Sequence, residues 1–122
     1  AKDVMFTGDD LPVIKYDTLS KDVIKHISEK GMGVTFVISE DDAVIGIITD
    51  GDVRRAIDSS NYFFDMTAQD IMSKGFLSVV PEELASDCIH KMAKKKIGCL
   101  AVMQDDDLVG IINQKDLVKL GI

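Results

Sequence analysis

Two short polar segments in this sequence combine residue types that can bind a phosphorylated sugar. Thr49 and Asp52 form the first segment, and Asn113 and Asp116 stand at the equivalent positions of the second. A hydroxyl at the start of a helix, beside free backbone N–H groups, can hold a phosphate, and a carboxylate one turn later can accept two hydrogen bonds from ribose hydroxyls. This combination indicates a nucleotide ligand.

The same spacing also fits a purely structural arrangement. In a capping box, the side chain of the first residue bonds the backbone three residues later, and the acid at that position bonds back. Asn113 has an amide but no hydroxyl, so the second segment departs from the first. Arg55, close behind Asp52, could contact a phosphate or a partner subunit, or lie on a solvated helix face. From spacing alone both interpretations of Thr49 and Asp52 stay open.

No arrangement of residues predicts catalysis, a metal site or a cofactor. His26 and His90 each stand alone on a predicted helix, without the partners of a catalytic triad or of a zinc-binding HExxH motif. Cys88 and Cys99 lie in apolar patterns with no CxxC spacing, so we expect buried thiols and not a disulfide or a metal site.

The length, net charge and apolar runs of the chain limit its size class, its partners and its cellular location. The chain has 122 residues, enough for one compact module but not for a large multi-domain enzyme. Its net charge of −7 repels nucleic acid and anionic membranes, which argues against either as the main partner. The longest apolar runs fall well short of the roughly 18 residues of a membrane span, and the first ten residues lack a signal-peptide core. We expect a cytoplasmic protein.

An internal duplication organises the chain. The segment Ala1–Met5 matches Ala68–Met72, and Gly46–Val53 matches Gly110–Leu117, each at a nearly constant offset. We therefore expect a first repeat at 1–60, a linker at 61–67 and a second repeat at 68–122. The linker contains Tyr62-Phe63-Phe64, whose rings could pack on the core or stack on a base.

Periodicity predicts a strand, a helix, two strands and a helix in each repeat. In the first, a helix over about 19–30, with Thr18 or Ser20 as its cap and Gly31 at its end, precedes a hairpin of 34–38 and 44–48. A second helix then begins near Thr49. In the second repeat, a helix face from Leu84 to Met92 precedes a hairpin of 99–103 and 108–112. The fold class is α/β, with two βαββα repeats packed as a pseudo-two-fold pair.

These repeats resemble a tandem pair of CBS domains. The resemblance covers nearly the whole chain and rests on Asp-Val-Met or Asp-Ile-Met at the entrance of each repeat and on Gly-Ile-Ile at the end of each hairpin. The chain is similar in particular to the C-terminal CBS pair of arabinose 5-phosphate isomerases. The segments that carry this closer likeness are Met5–Pro12, Gly31–Thr35 and Gly46–Arg55.

The resemblance implies a regulatory role and a set of ligand contacts. CBS pairs bind nucleotides in the cleft between repeats, through residues at the places of Thr49 and Asp52, and by analogy Asn113 and Asp116. In some pairs a basic residue before the second strand faces the phosphates; Lys96 holds that place in the second repeat, and Gly31 in the first.

The parent enzyme implied by this resemblance carries an N-terminal sugar isomerase (SIS) domain and serves synthesis of Kdo and lipopolysaccharide. Ligands in keeping with it are CMP-Kdo, the activated end product, and AMP or ATP. A ligand-free oligomerisation module of the same enzyme is the alternative. In either case we expect a homodimer or a larger homo-oligomer, with an apolar seam formed by Val53, Ile57, Leu117 and Leu120.

Overall fold

β-branched and aromatic runs form the strands of the first unit, and amphipathic segments form its helices. The computed structural model describes residues 11–31, 33–95, 99–105 and 107–113. Their backbone separates into one unit at Pro12–Phe76 and another that contains Leu11 and the described residues from Leu77 onward. The elements of the first unit are β1 (Val13–Lys15), α1 (Ser20–Lys30), β2 (Val34–Ile38), β3 (Val44–Thr49), α2 (Asp50–Ser59), a 3₁₀ helix (Phe63–Asp65) and α3 (Ala68–Ile71).

The sheet of the first unit has the order β1-β2-β3. β1 and β2 run parallel and are connected by α1, whereas β2 and β3 form the predicted antiparallel hairpin. α2 follows β3 directly. The α/β class and the βαββα order are therefore confirmed for this repeat.

The two ends of α1 differ in how well they were predicted. Gly31 adopts the left-handed conformation with φ of 68° and ends the helix as expected. The prediction that Thr18 or Ser20 caps the start is wrong, because Leu19 occupies the N-cap position and no side chain caps the helix. The backbone N–H of Ser20 donates instead to the carbonyl of Met66. A tertiary contact thus replaces the side-chain cap.

The core of the first unit lies between one face of its sheet and the helices. Ile14, Val37 and Ile48 on the sheet pack with residues of α1, α2 and α3, among them Val23 and Ile27. This arrangement follows the predicted periodicity, since both α1 residues belong to the face deduced from the sequence.

The segment predicted as the linker, 61–67, contains the 3₁₀ helix and packs partly on this core. Phe63 is buried, with 6% of its surface exposed, whereas Tyr62 and Phe64 are 71% and 79% exposed. Core packing of the aromatic run is therefore confirmed for Phe63 alone. The rings of Phe63 and Phe64 meet edge to face at 5.8 Å.

The second unit repeats the plan of the first. Its elements are β4 (Ser78–Val79), α4 (Ala85–Lys95), β5 (Cys99–Gln104) and β6 (Asp107–Asn113), with β4 parallel to β5 and β5 antiparallel to β6. Its core contains Cys88, Met92 and neighbouring strand residues. Leu84, predicted on the buried helix face, precedes α4 and is 67% exposed. The final predicted helix, with Leu117 and Leu120, lies outside the described residues.

Two further features concern both units. Each hairpin has a register shift at equivalent positions, Val37/Ile38 and Val102/Met103, which supports the duplication. Among the described residues, every helix is too short or too polar to cross a bilayer.

Candidate functional site

The junction of β3 and α2 positions the first pair of predicted ligand residues. β3 ends at Thr49, which is the N-cap of α2, and its side-chain oxygen accepts the N–H of Asp52 at 3.3 Å. In return, Oδ2 of Asp52 accepts from the Thr49 backbone N–H at 2.9 Å and from the Thr49 hydroxyl at 3.0 Å. The capping interpretation of this pair is therefore confirmed.

The second carboxylate oxygen of Asp52 has different partners. Oδ1 accepts from the Ser73 hydroxyl at 2.6 Å and from Nη2 of Arg55 at 2.5 Å. The Asp52 side chain is only 4% exposed, whereas that of Arg55 is 72% exposed. Capping thus uses Oδ2 alone. Oδ1 bonds Ser73, which is distant in sequence, and Arg55, whose side chain is exposed.

A second capping box in the same unit provides an internal comparison. Asp70 Oδ2 accepts from the Thr67 N–H at 2.9 Å and from the Thr67 hydroxyl at 3.1 Å, as Oδ2 of Asp52 accepts from Thr49. Asp70 is exposed, and the structure shows no second side chain bonded to it among the residues described. A capping box in this fold therefore does not require the contacts that Oδ1 of Asp52 makes.

The charge of Asp52 is stabilised in spite of its burial. Burial by itself disfavours the ionised carboxylate, but hydrogen bonds from Ser73, Thr49 and Arg55 outweigh it and hold the pKa of Asp52 below its usual value. The carboxylate is therefore ionised at neutral pH, and both of its oxygens act as hydrogen-bond acceptors.

Ser73 reaches Asp52 because its segment pairs with the edge of β3. The N–H of Ile47 donates to the carbonyl of Ser73 at 2.9 Å, and the N–H of Ser73 donates back at 2.8 Å. Gly46 makes this approach feasible, since a β-carbon there would lie 2.9 Å from the Ser73 carbonyl oxygen and even closer to the Met72 side chain. Ser73 was not predicted as a site residue, although its place directly after the repeated Asp-Ile-Met segment could have indicated it.

An open groove adjoins the same side chains. It has a volume of about 620 Å³ and is bordered by Asp52, Arg55 and Ser73. Its other walls are Ser59 and apolar and acidic side chains of α2, α3 and the chain around them. Oδ1 of Asp52 and the Ser73 hydroxyl thus meet where a small molecule has space.

Of the remaining predicted site residues, Asn113 belongs to the described part of the second unit. Asn113 ends β6 in the second unit, where it pairs in register with Cys99 and is 7% exposed. Lys96 and Asp116 lie outside the described residues. Thr49, Asp52 and Arg55 are therefore the predicted ligand residues that the structure brings together.

Among the described residues, no histidine or cysteine borders this groove. His26 is half-buried, and burial lowers its pKa, whereas His90 is exposed. Burial raises the pKa of Cys99 to about 12, so this thiol is a poor nucleophile at neutral pH. Within the described ranges no three acidic, histidine or cysteine side chains are grouped as metal ligands.

Comparison with known proteins gives a consistent family. The family model of the CBS domain matches residues 1–59 and 68–121. Arabinose 5-phosphate isomerase KdsD of Pseudomonas aeruginosa is 35% identical over 122 residues, which is 99% of this chain and 37% of that protein. The chain thus spans little more than a third of the length of the curated relatives it matches.

Solved structures agree with this result. AcuB of Vibrio cholerae has 25% identity and a TM-score of 0.89, over 98% of this chain and 87% of the other. CBSX2, solved in complex with AMP, has 23% identity and a TM-score of 0.85, over 98% of this chain and 93% of that one.

Proposed function

This chain belongs to the CBS domain family, and on that premise we propose that it is a regulatory module that binds a ribonucleotide at the start of α2. The family match and the complex of a similar fold with AMP support the proposal. Likeness to KdsD over the whole chain supports a parent enzyme that is an arabinose 5-phosphate isomerase. Its catalytic SIS domain has no place within these 122 residues, which the two CBS matches nearly fill.

The observation that carries the proposal is the separate use of the two Asp52 oxygens. Oδ2 caps α2, as its counterpart in Asp70 caps α3, and Oδ1 makes contacts that capping does not need. A ribose hydroxyl that bonds Oδ1 leaves the capping box intact. Structural and ligand roles for Asp52 are therefore compatible, although the sequence offered them as alternatives.

Such a ligand has to displace Arg55 from Oδ1 of Asp52, and this costs little free energy because the Arg55 side chain is exposed. Its contact with Asp52 joins residues three apart on one helix, and its side chain is largely in water. Pairs of this kind contribute about 0–1 kcal/mol. Once displaced from Oδ1, the guanidinium is free to bond the phosphate of the same ligand.

For the ligand we propose CMP-Kdo ahead of AMP or ATP. All three carry ribose hydroxyls for Asp52 and phosphate for the start of α2. CMP-Kdo would report the end product of the pathway that the parent enzyme supplies, and its sugar carboxylate offers Arg55 or Lys96 a further anionic group. Lys96, Asn113 and Asp116 remain proposed contacts of the second repeat, and a cytoplasmic location is part of the same proposal.

Calorimetric competition between these nucleotides tests the proposal. We expect saturable binding that Asp52→Asn weakens, with CMP-Kdo displacing AMP and ATP. If AMP or ATP binds tenfold more tightly than CMP-Kdo, a difference of about 1.4 kcal/mol, the module senses cellular energy and not the end product. Absence of binding by all three nucleotides would contradict the ribonucleotide site.

The alternative function is oligomerisation without a ligand. Exposed apolar side chains favour it, namely Ile57 on α2, which is 50% exposed, and the aromatics Tyr62 and Phe64. Val53, the other predicted seam residue of α2, is half-buried and packs on its own core. Sedimentation of wild type and Ile57→Glu tests this reading: a dimer lost in the variant supports it, and a monomeric wild type at tens of micromolar opposes it.

A further inference from the structure

We propose that Ser73 positions Asp52 and supplies, beside Oδ1 of Asp52, the second acceptor for the two neighbouring hydroxyls of a ribose. This inference rests on the proposed ribonucleotide site and identifies a residue that contacts the ribose hydroxyls. It predicts that the site distinguishes ribonucleotides from both 2′-deoxy and 3′-deoxy nucleotides.

The positioning role follows from where the donors of Asp52 originate. Thr49 and Arg55 belong to α2 and its cap, so they move with the helix that carries Asp52. Ser73 is the donor, among the residues described, that comes from another part of the unit. Its backbone is fixed by two hydrogen bonds to Ile47 of β3. The direction of Oδ1 is therefore set by the sheet as well as by the helix.

The acceptor role follows from the chemistry of a hydroxyl. A serine hydroxyl has one hydrogen to donate and two lone pairs to accept. Ser73 gives its hydrogen to Oδ1 of Asp52 at 2.6 Å, so its oxygen keeps accepting capacity immediately beside a carboxylate oxygen. Two adjacent acceptors match two adjacent hydroxyl donors. A nucleotide that lacks either hydroxyl leaves one of these acceptors without its ligand donor.

A ligand in the groove between α2 and α3 reaches both acceptors once Arg55 leaves Oδ1 of Asp52. Asp52, Arg55 and Ser73 border this groove. Arg55, exposed over 72% of its side chain, is the donor that a ligand displaces from Oδ1, whereas Ser73 is half-buried and remains in place. The ribose then replaces one surface contact and preserves the buried one.

Binding of AMP, 2′-deoxy-AMP and 3′-deoxy-AMP to the whole chain tests the inference, with CMP and its deoxy analogues measured in parallel. Wild type should bind each deoxy analogue more weakly than its parent. Ser73→Ala should lower affinity for the parent by about threefold to tenfold, the value of one hydrogen bond. Affinity for the analogue that lacks the hydroxyl bound by Ser73 should fall by a smaller factor, because only the positioning of Asp52 is lost there, and Ser73→Thr should restore discrimination.

The matched control is Ser59→Ala. Ser59 borders the same groove, but its hydroxyl donates to the carbonyl of Ala56 and not to Asp52. This variant should retain the wild-type preference. Equal loss of affinity for the parent and both analogues in Ser73→Ala, without rescue by threonine, would exclude the acceptor role of Ser73 while leaving the ribonucleotide site valid. Absence of ribonucleotide binding to wild type would instead overturn the proposed function, and this inference with it.

A pH profile separates positioning from simple packing. Because the Ser73 hydroxyl favours ionised Asp52, its removal should raise the pKa of that carboxyl, and loss of AMP binding on acidification should begin at a higher pH in Ser73→Ala than in Ser59→Ala. Coincident profiles of the two variants would contradict the positioning role. The preference of wild type for AMP over both deoxy analogues is measured without any variant. That prediction can therefore be refuted even if Ser73→Ala does not fold.

Discussion

The Ser73 hydroxyl bonds Oδ1 of Asp52 at 2.6 Å across 21 positions of sequence. This bond joins the first turn of α2 to the segment that follows α3. The same carboxylate holds the cap of α2 through its other oxygen. One buried side chain therefore connects a helix start, a sheet edge and a candidate ligand site.

Asp52→Asn should weaken nucleotide binding much more than it weakens the fold. Asparagine keeps one oxygen for the Thr49 donors but places an amide donor toward Arg55, so we expect a loss of about 0.5–2 kcal/mol in unfolding free energy. Ribonucleotide affinity should fall more than tenfold. Urea unfolding and calorimetry measure the two effects. Asp70→Asn, in the second box, borders the same groove but should lose stability without a tenfold loss of affinity, and unchanged affinity in Asp52→Asn would leave only the capping role.

Gly46→Ala should destabilise the first unit by about 1–3 kcal/mol, the usual cost of overpacking. The added β-carbon would lie 2.9 Å from the Ser73 carbonyl oxygen, which is backbone and cannot rotate away. Chemical denaturation compares this variant with Gly75→Ala, where an added β-carbon meets nothing within 4 Å. We expect Gly75→Ala to change stability by less than about 0.5 kcal/mol. Equal stability of the two variants would mean that the 72–73 segment does not pack against β3.

The contribution of Asp52 to stability should disappear in acid. Its pKa is lower in the folded chain than the usual value of 3.8, so the folded state favours the ionised form. The stability that this ionisation adds is fully present above the unfolded pKa and is lost as the pH falls through the folded pKa. The difference in unfolding free energy between wild type and Asp52→Asn should therefore be constant near neutral pH and shrink below about pH 4. A constant difference down to pH 2 would show that hydrogen bonding does not depress this pKa.

The purified chain should not interconvert ribulose 5-phosphate and arabinose 5-phosphate. An enediol mechanism needs an acid and a base on either side of a bound sugar. The candidate site offers instead a carboxylate committed to four donors. A coupled assay at substrate saturation measures this directly. Turnover near that of an intact isomerase would overturn the regulatory assignment.

Local patterns predicted the elements of the fold well, and tertiary contacts account for the errors. The duplication, both hairpins and the Thr49–Asp52 box follow from periodicity and spacing between residues close in sequence. The start of α1 was predicted wrongly because its N–H donor is satisfied by Met66, 46 residues away in the chain. A contact of that kind leaves no pattern near Ser20.

Ser73 illustrates the same limit for the site. Its role depends on the backbone pairing with Ile47 and on the absence of a side chain at Gly46, and neither can be deduced from one sequence. The sequence predicted Asp52 and Arg55 as separate candidates for ligand contact. It did not predict that they would bond each other, because a pair three apart on a helix has several rotamers that avoid contact.

The pairing of Ile47 with Ser73 also affects how the chain behaves at high concentration. β3 is the outer strand of its sheet, and an outer strand with free N–H and C=O groups can recruit a strand from another molecule. Ser73 already occupies both backbone groups of Ile47. The segment that orients Asp52 therefore also protects this edge from aggregation, and a substitution that detaches it would expose a template for intermolecular β-sheet.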